Sequence, residues 1–458
     1  MKKYLSFLLL AALAIILVGC KPPEGFSTIN YDEEYIEEGA TKINMWCADF
    51  EEWQNQLNVS QRIQFNSNKT DGIQLVQTFV EQNDIDDKLR AARETGSTPD
   101  IYMISIGNLY KEVTNGYALD LSSYINTWTD LIDSAYEAVT YNDKHYGYPI
   151  CLEPSTLLFY RKDLLQTYGK TDSIPTTWDG FLALCETVKS NIKSSGTKGL
   201  YAFDVPKGVD CAWGTWGMQM AATGGLAVDD TWTNSRLLTD GKEGYIKLGQ
   251  LWDKLFDKGY IPLSSSAYNE YIKQLCLDKQ VMTTAGSWSV SEIINTYPEL
   301  KDKIGIAKMP TFSGDQTGCL ATNGGWVYVV SSTSKNKEKA IEVIKWLVAG
   351  EDTSRCEEYF KKAYYSKSSP RKTVQAKIEA TLTTQTDVPK EWVELINDVT
   401  TTSILEPIYP WDISVAIEGY LEACAMGKDI ETSLVEADTA IKNIILNSHT
   451  AGTNPRNR

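Results

Sequence analysis

Thirteen tryptophans and twenty-five tyrosines stand among sixty acidic residues in this chain. Aromatic faces stack on C–H surfaces, and carboxylates and amides take up hydroxyl groups. Together they suit a cleft for a polyhydroxylated solute. Four segments concentrate these residues. Trp288 follows Ala285-Gly286-Ser287, and Trp326 follows Gly324-Gly325, where backbone can approach a ligand closely. Tyr409-Pro410-Trp411-Asp412 forms a dense polar and aromatic loop, and Trp213 and Trp216 are flanked by Gly214 and Gly217. Core packing is the alternative for every one of these rings, because large aromatics also fill interiors.

Other chemistries find less support. Many acids could supply the carboxylate pair that glycoside hydrolysis needs, but no spacing singles one out. There is no GxSxG, no HExxH and no phosphate-binding glycine loop. His145 and His449 are the only histidines and no CxxC occurs, so neither a zinc site nor any other cofactor is expected. A net charge of -16 argues against nucleic acid or anionic lipid as a partner. Beside Cys20, eight widely spaced cysteines show no disulfide framework and read as buried thiols.

The start of the chain carries an address. Met1-Lys2-Lys3 precedes an apolar run from Leu5 to Val18, too short to span a bilayer and suited to a signal peptide. Leu17-Val18-Gly19-Cys20 resembles the lipobox of bacterial lipoproteins, which implies a signal over 1–19 and a lipid on the Cys20 thiol. Residues 20–40, with Pro22-Pro23 and several acids, read as a tether to the membrane. What remains is long enough for two cores.

Strand and helix alternate through the next hundred residues, indicating an α/β sheet with helical cover. Ile43–Cys47, Ile73–Glu81 and Asp100–Ile104 read as strands, and Ile85, Leu89 and Ala92 mark one helix face that Gly96 stops. Pro175-Thr176-Thr177-Trp178-Asp179 reads as a helix start with a hydroxyl cap, the helix carrying Trp178, Phe181, Leu182 and Cys185. Trp326–Val330 is a further strand, followed by a helix through Ala340, Ile344 and Leu347 that ends at Gly350. Asn447–Arg458 is polar and reads as a frayed end.

Five ordered segments give a resemblance. Pro99-Asp100-Ile101-Tyr102 with Gly107-Asn108-Leu109 and Gly116–Leu119, His145–Pro149 through Leu158–Leu165, Pro175–Phe181, Ala285–Trp288 with Ile304–Pro310, and Asn323–Trp326 to Trp346-Leu347 are similar to the bacterial extracellular solute-binding proteins of sugar ABC importers, the maltose-binding-protein-like family. The region Glu51–Gly72 does not align, and Cys47, Cys151 and Cys319 depart from the family's usual residues.

The resemblance implies an α/β, two-lobed periplasmic-binding-protein-like fold with hinge crossovers and an interlobe ligand cleft. It places lobe one at 41–149 plus 303–350 and lobe two at 150–302 plus 351–458. It also implies ligand-binding roles for Trp288, as a stacking ring, and Glu153, as an acceptor of sugar hydroxyls, a solvated or hinge-bonding acid being the alternative for Glu153; Trp326, Trp411, Trp216 and Tyr409 are further cleft candidates from their own surroundings. Asp49, Glu51 and Asn108 fall where the family often makes polar contacts, an exposed polar residue being the alternative for each. The implied protein is not an enzyme. It is a monomeric binder of a carbohydrate, delivering it to ABC permease subunits from the extracytoplasmic face of the membrane. Two alternatives stay open: a two-lobed binder of iron, polyamine or peptide, and a surface-anchored carbohydrate-active enzyme.

Overall fold

The computed structural model describes residues 38–68, 72–208, 211–264, 270–382 and 387–456. The expected signal peptide, the lipidated Cys20 and most of the tether lie outside the described residues. The first half of the chain sets strand against helix three times: β1 (Thr41–Asp49), α1 (Glu52–Ser67), β2 (Ile73–Glu81), α2 (Ile85–Thr95), β3 (Ile101–Ser105) and α3 (Ile106–Thr114). Helix α2 buries Ile85, Leu89 and Ala92, and Gly96 ends it in the left-handed region at φ 70°. Short β4 (Thr140–Tyr141) and β5 (Lys144–His145) form a ribbon ahead of β6 (Tyr148–Pro154), whose residues are all buried.

The second lobe begins with β7 (Leu157–Arg161) and continues through α4 (Trp178–Ser195), β8 (Tyr201–Asp204), α5 (Cys211–Thr223), α6 (Lys242–Asp257), β9 (Gln280–Ala285), α7 (Ser289–Thr296) and β10 (Ile304–Ala307). At the start of α4 the Thr177 hydroxyl accepts from the Gly180 N–H at 3.1 Å. The chain then returns with β11 (Thr322–Val330), α8 (Lys337–Ile344), α9 (Ser354–Lys362), α10 (Lys372–Leu382), α11 (Lys390–Thr402) and β12 (Ile404–Leu405). It ends in α12 (Trp411–Ala425) and α13 (Ile430–Ser448).

Two sheets result. The first runs β12-β11-β3-β1-β2, with β6 on the other edge of β11; the second runs β10-β7-β9-β8. β1 lies parallel to β2 and β3, while β11 is antiparallel to β3 and β6. These pairings redraw the expected lobe boundaries. β6 reaches Pro154 inside the first sheet, and β10, expected in lobe one, pairs antiparallel with β7 in the second. Residues 351–405, expected in lobe two, bury Cys356, Phe360, Trp392 and Ile396 in the first core. Only α12 and α13 complete the second, through Ile413, Tyr420 and Ile441. The chain therefore crosses between lobes after β6, after β10 and after β12. Helix α13 extends to Ser448, and residues 449–456, expected to be frayed, are held by hydrogen bonds. No helix among the described residues is long and apolar enough to cross a membrane.

Candidate functional site

The parallel strands of the first sheet all end at one edge, and the crossover residues meet it there. β1 ends at Asp49, whose carboxylate accepts from the Asn55 side-chain amide at 2.5 Å. Asn55 in turn accepts from the Phe50 N–H at 3.2 Å, closing the loop. Asp49 thus fixes the turn, and the turn directs Phe50 and Glu51 across the edge. The Phe50 ring meets Trp326 edge-to-face at 4.6 Å.

Glu51 reaches the other lobe. Its carboxylate accepts from Trp53 Nε1 at 2.7 Å and from Ser291 Oγ at 2.8 and 3.1 Å. Ser291 belongs to α7, so this bond joins the end of β1 to the helix that follows β9. Burial pushes the Glu51 carboxyl up, against the pull of Lys367 and the two donors. Glu292, the next residue of α7, is pushed up to about 8 by burial and then by the charge of Glu51.

Glu153 lies opposite Gly324 at the end of β6 and is buried. It accepts from Trp326 Nε1 at 3.1 Å and from Lys367 Nζ at 2.7 Å. Burial works against the Lys367 ammonium, but Glu153 holds its pKa above the ordinary lysine value. Lys367 is placed by backbone: Ser368 exchanges hydrogen bonds of 2.9 and 2.8 Å with Leu152, continuing the sheet past β6. No sequence signal marked this lysine, which sits in a polar run of serines. It is the counter-ion of the site.

Glu406, just past β12, is a second buried acid missed at the sequence level. Its carboxylate packs on Gly324, where a Cβ would come within 2.3 Å of Oε1. Burial, followed by the charge of Glu153, pushes its pKa up to about 8. Gly325 has φ 144° and its Cα faces the Cys151 carbonyl, which a Cβ would approach to 2.1 Å. The glycine pair was expected to admit a ligand. Its observed work is to admit Glu406 and a neighbouring strand.

Trp288 is half-buried at the start of α7, its ring laid over Gly286, and the Ser287 N–H bonds Pro154 O at 3.0 Å across the crossover. The Ser291 hydroxyl also donates to the Trp288 carbonyl at 2.7 Å, linking this turn to Glu51. Glu153, Trp326 and Trp288 are therefore brought together with Glu51, Phe50, Ser291 and Lys367. Asn108 is exposed in the first turn of α3. Trp411 is 44% exposed and touches Trp213 and Trp216 edge-on at 5.9 and 6.1 Å.

Trp216 and Tyr409, expected as cleft residues, are both buried, Tyr409 in the second core and Trp216 against Trp411. Beside them α5 approaches the returning chain closely: at Gly217 a Cβ would fall 2.0 Å from the Leu320 carbonyl oxygen. The Trp216 indole and Ser414 adjoin the Tyr409 hydroxyl. Both residues back Trp411 rather than present a surface. On the second lobe's edge, Lys207 pairs with the buried Asp204 at the end of β8, a pair the sequence did not reveal. Burial raises the Asp204 carboxyl to about 6.

A separate cavity of about 450 Å³ opens in lobe two, lined by Leu226, Asp229, Arg236, Asp240 and Lys442 among others. No aromatic ring lines it, so it lacks the stacking surface that the crossover cluster has. Among the described residues no group of three or more His, Cys, Asp or Glu is placed to hold a metal ion.

Two α/β lobes, three crossings and a polar, aromatic cluster between them define a hinged, two-lobed binding fold. A model of the bacterial extracellular solute-binding protein family matches residues 63–389, and the chain belongs to that family. A probable ABC transporter-binding protein from Deinococcus radiodurans is 23% identical over 267 residues, covering 57% of this chain. The chain spans about 60% of the length of that curated relative. Among solved structures, an ABC transporter solute-binding protein from Thermotoga lettingae bound with α-D-tagatose superposes with a TM-score of 0.73 at 19% identity, covering 89% of this chain and 100% of its own. The cyclic α-maltosyl-1,6-maltose binding protein from Arthrobacter globiformis gives 0.70 at 18% identity, covering 89% and 100%. At these identities the likeness is one of fold.

Proposed function

We propose that this protein captures a carbohydrate, an oligosaccharide in particular, between its lobes and delivers it to the permease of an ABC importer. In this reading it works outside the cytoplasm, anchored through Cys20. The observation that carries the reading is the cluster at the crossovers. Trp326 and Trp288 offer ring faces, while Glu51 and Glu153 offer acceptors on rigid elements. Ring stacking adds on the order of 1 kcal/mol for each ring beyond its area. A micromolar ligand needs about 8 kcal/mol in all, so several hydrogen bonds must join the rings. The tagatose bound to the Thermotoga protein and the cyclic maltosyl-maltose named as the ligand of the Arthrobacter protein support the assignment of ligand class.

One observation favours a second reading. Glu51, Glu153 and Glu292 gather three carboxyls around the single Lys367, which also suits a cationic solute such as a polyamine. Calorimetric titration of residues 38–458 with malto-oligosaccharides, monosaccharides and spermidine separates the two. Saturable heat with a sugar supports carbohydrate capture. Heat with spermidine and none with any sugar overturns it and leaves the two-lobed binder with another cargo.

A further inference from the structure

The residues after α13 do not simply leave the fold. His449 turns the chain through the left-handed region at φ 55°, and Thr450–Arg456 then lies against both lobes. On the lobe-two side, the Gly452 N–H donates to Thr231 O at 2.9 Å and the Asn454 side-chain amide donates to Asp230 O at 2.7 Å. On the lobe-one side, the Tyr110 hydroxyl of α3 donates to Thr453 O at 3.5 Å. Arg456 Nη1 donates to Glu406 O at 2.6 Å, just beyond β12. The Arg456 N–H bonds Asn454 Oδ1 at 3.0 Å, which bends the segment so that the two contacts face opposite lobes.

Side chains reinforce this path. The Tyr110 ring lies 5.3 Å from Tyr141 in the first lobe and 6.3 Å from Trp232 in the second. Arg456 is the cationic end of the segment. Its Nε and Nη2 are buried without a hydrogen bond of good geometry, beside the Tyr141 hydroxyl and the Glu406 carboxyl. A guanidinium loses hydration on burial and stays only where an opposite charge compensates. The Glu406 carbonyl accepts from it, and the Glu406 carboxyl beside it adds charge once it ionises, at about pH 8.

We propose that Thr450–Arg456 is a strap that holds the two lobes in the arrangement seen here, anchored to lobe one by Arg456 and to lobe two by Asn454 and Gly452. Opening the cleft requires the strap to release one lobe. The strap belongs to one lobe by sequence, since it continues α13, and reaches the other only through Arg456 and Tyr110. Its contribution is therefore a bias on hinge opening rather than on the stability of either core.

Deletion of residues 450–458 and the substitution Arg456→Ala test this. Small-angle scattering without any ligand reads the lobe arrangement directly, and far-UV circular dichroism checks that each variant is folded. The expected result is a larger radius of gyration than the parent for both variants. The deletion also weakens binding of the sugar found by titration roughly tenfold, because a smaller share of molecules is closed. Should the deletion fail to fold, Arg456→Ala carries the same two readouts. An unchanged radius of gyration in the folded variants, or tighter sugar binding after deletion, overturns the strap. The scattering arm uses no sugar, so failure of the carbohydrate reading leaves it intact.

Discussion

The substitution Lys367→Met gives the sharpest test of how the crossover cluster is held. Lys367 Nζ lies 2.7 Å from Glu153 Oε2, and the two side chains are 4% and 8% exposed. Methionine keeps much of the stem but removes the charge, leaving Glu153 buried with the Trp326 indole alone. Breaking a buried pair from one side costs about 3–5 kcal/mol. The Trp326 bond to Glu153 is present before and after the change and leaves the carboxylate one partner, which sets the loss at the lower end of that range. A loss of about 3 kcal/mol is expected on urea unfolding without ligand. Replacing both partners, Glu153→Gln with Lys367→Met, removes the stranded charge. The double variant should therefore be more stable than Lys367→Met alone, with a coupling of about 2 kcal/mol. A single-variant loss below about 1 kcal/mol, or additive effects in the cycle, would refute the claim that Lys367 exists to neutralise Glu153.

Three further outcomes follow from the same geometry. Trp288→Ala removes a half-buried ring laid over Gly286, so sugar affinity should fall about tenfold or more with little change in melting temperature; unchanged affinity takes Trp288 out of the site. Glu406 titrates at about 8 in the folded chain against 4.5 for an ordinary glutamate. The folded state thus holds a proton the unfolded state has lost, and this group makes stability fall as pH rises from about 4.5 to about 8. Glu406→Gln should gain stability relative to the parent across that window, and a pH-independent difference would contradict the burial of the carboxyl. Cys47, Cys151 and Cys276 are buried and their thiols are pushed up to about 12 by that burial. Residues 38–458 should show no more than one thiol, the half-buried Cys319, reacting with a thiol reagent until denatured, and rapid labelling of two or more in the native protein would place a thiol outside the core.

The sequence displayed the elements better than it displayed their neighbours. Ile73–Glu81 reads as a strand from its own residues, and β2 has those bounds. The stripe Ile85, Leu89, Ala92 and the stop at Gly96 are equally local. Strand β10 shows where locality ends. Ile304–Ala307 is apolar enough to pair in either sheet, and only register with β7 places it in the second lobe. The helices from 354 to 402 are amphipathic whichever core they cover, so their assignment to lobe one was equally invisible. At the site, Glu153, Trp326 and Trp288 were legible through resemblance to relatives. Lys367 was not, because a lysine among serines carries no pattern until Ser368 pairs with Leu152. Trp213 and Trp216 read alike in sequence. Trp216 is buried and Trp213 only partly so, a difference that tertiary packing sets and spacing does not show.

The bond between Glu51 and Ser291 explains why the cluster depends on the lobes being together. Glu51 is positioned by lobe one, through the loop that Asp49 and Asn55 close, whereas Ser291 is carried by the helix that follows β9. When the lobes part, each group regains water and neither suffers. When they meet, Glu51 and Glu292 are dehydrated side by side, and burial pushes both carboxyls up. Two donors, Ser291 and Trp53, and the distant charge of Lys367 only partly offset that cost. Closure without a ligand is therefore electrostatically strained at this point. A solute that brings hydroxyl donors to these carboxylates supplies hydrogen bonds the protein lacks. Binding and closure are then one event. The buried acids make the empty closed cleft less favourable, and the strap opposes them by tying the lobes together at Arg456 and Asn454.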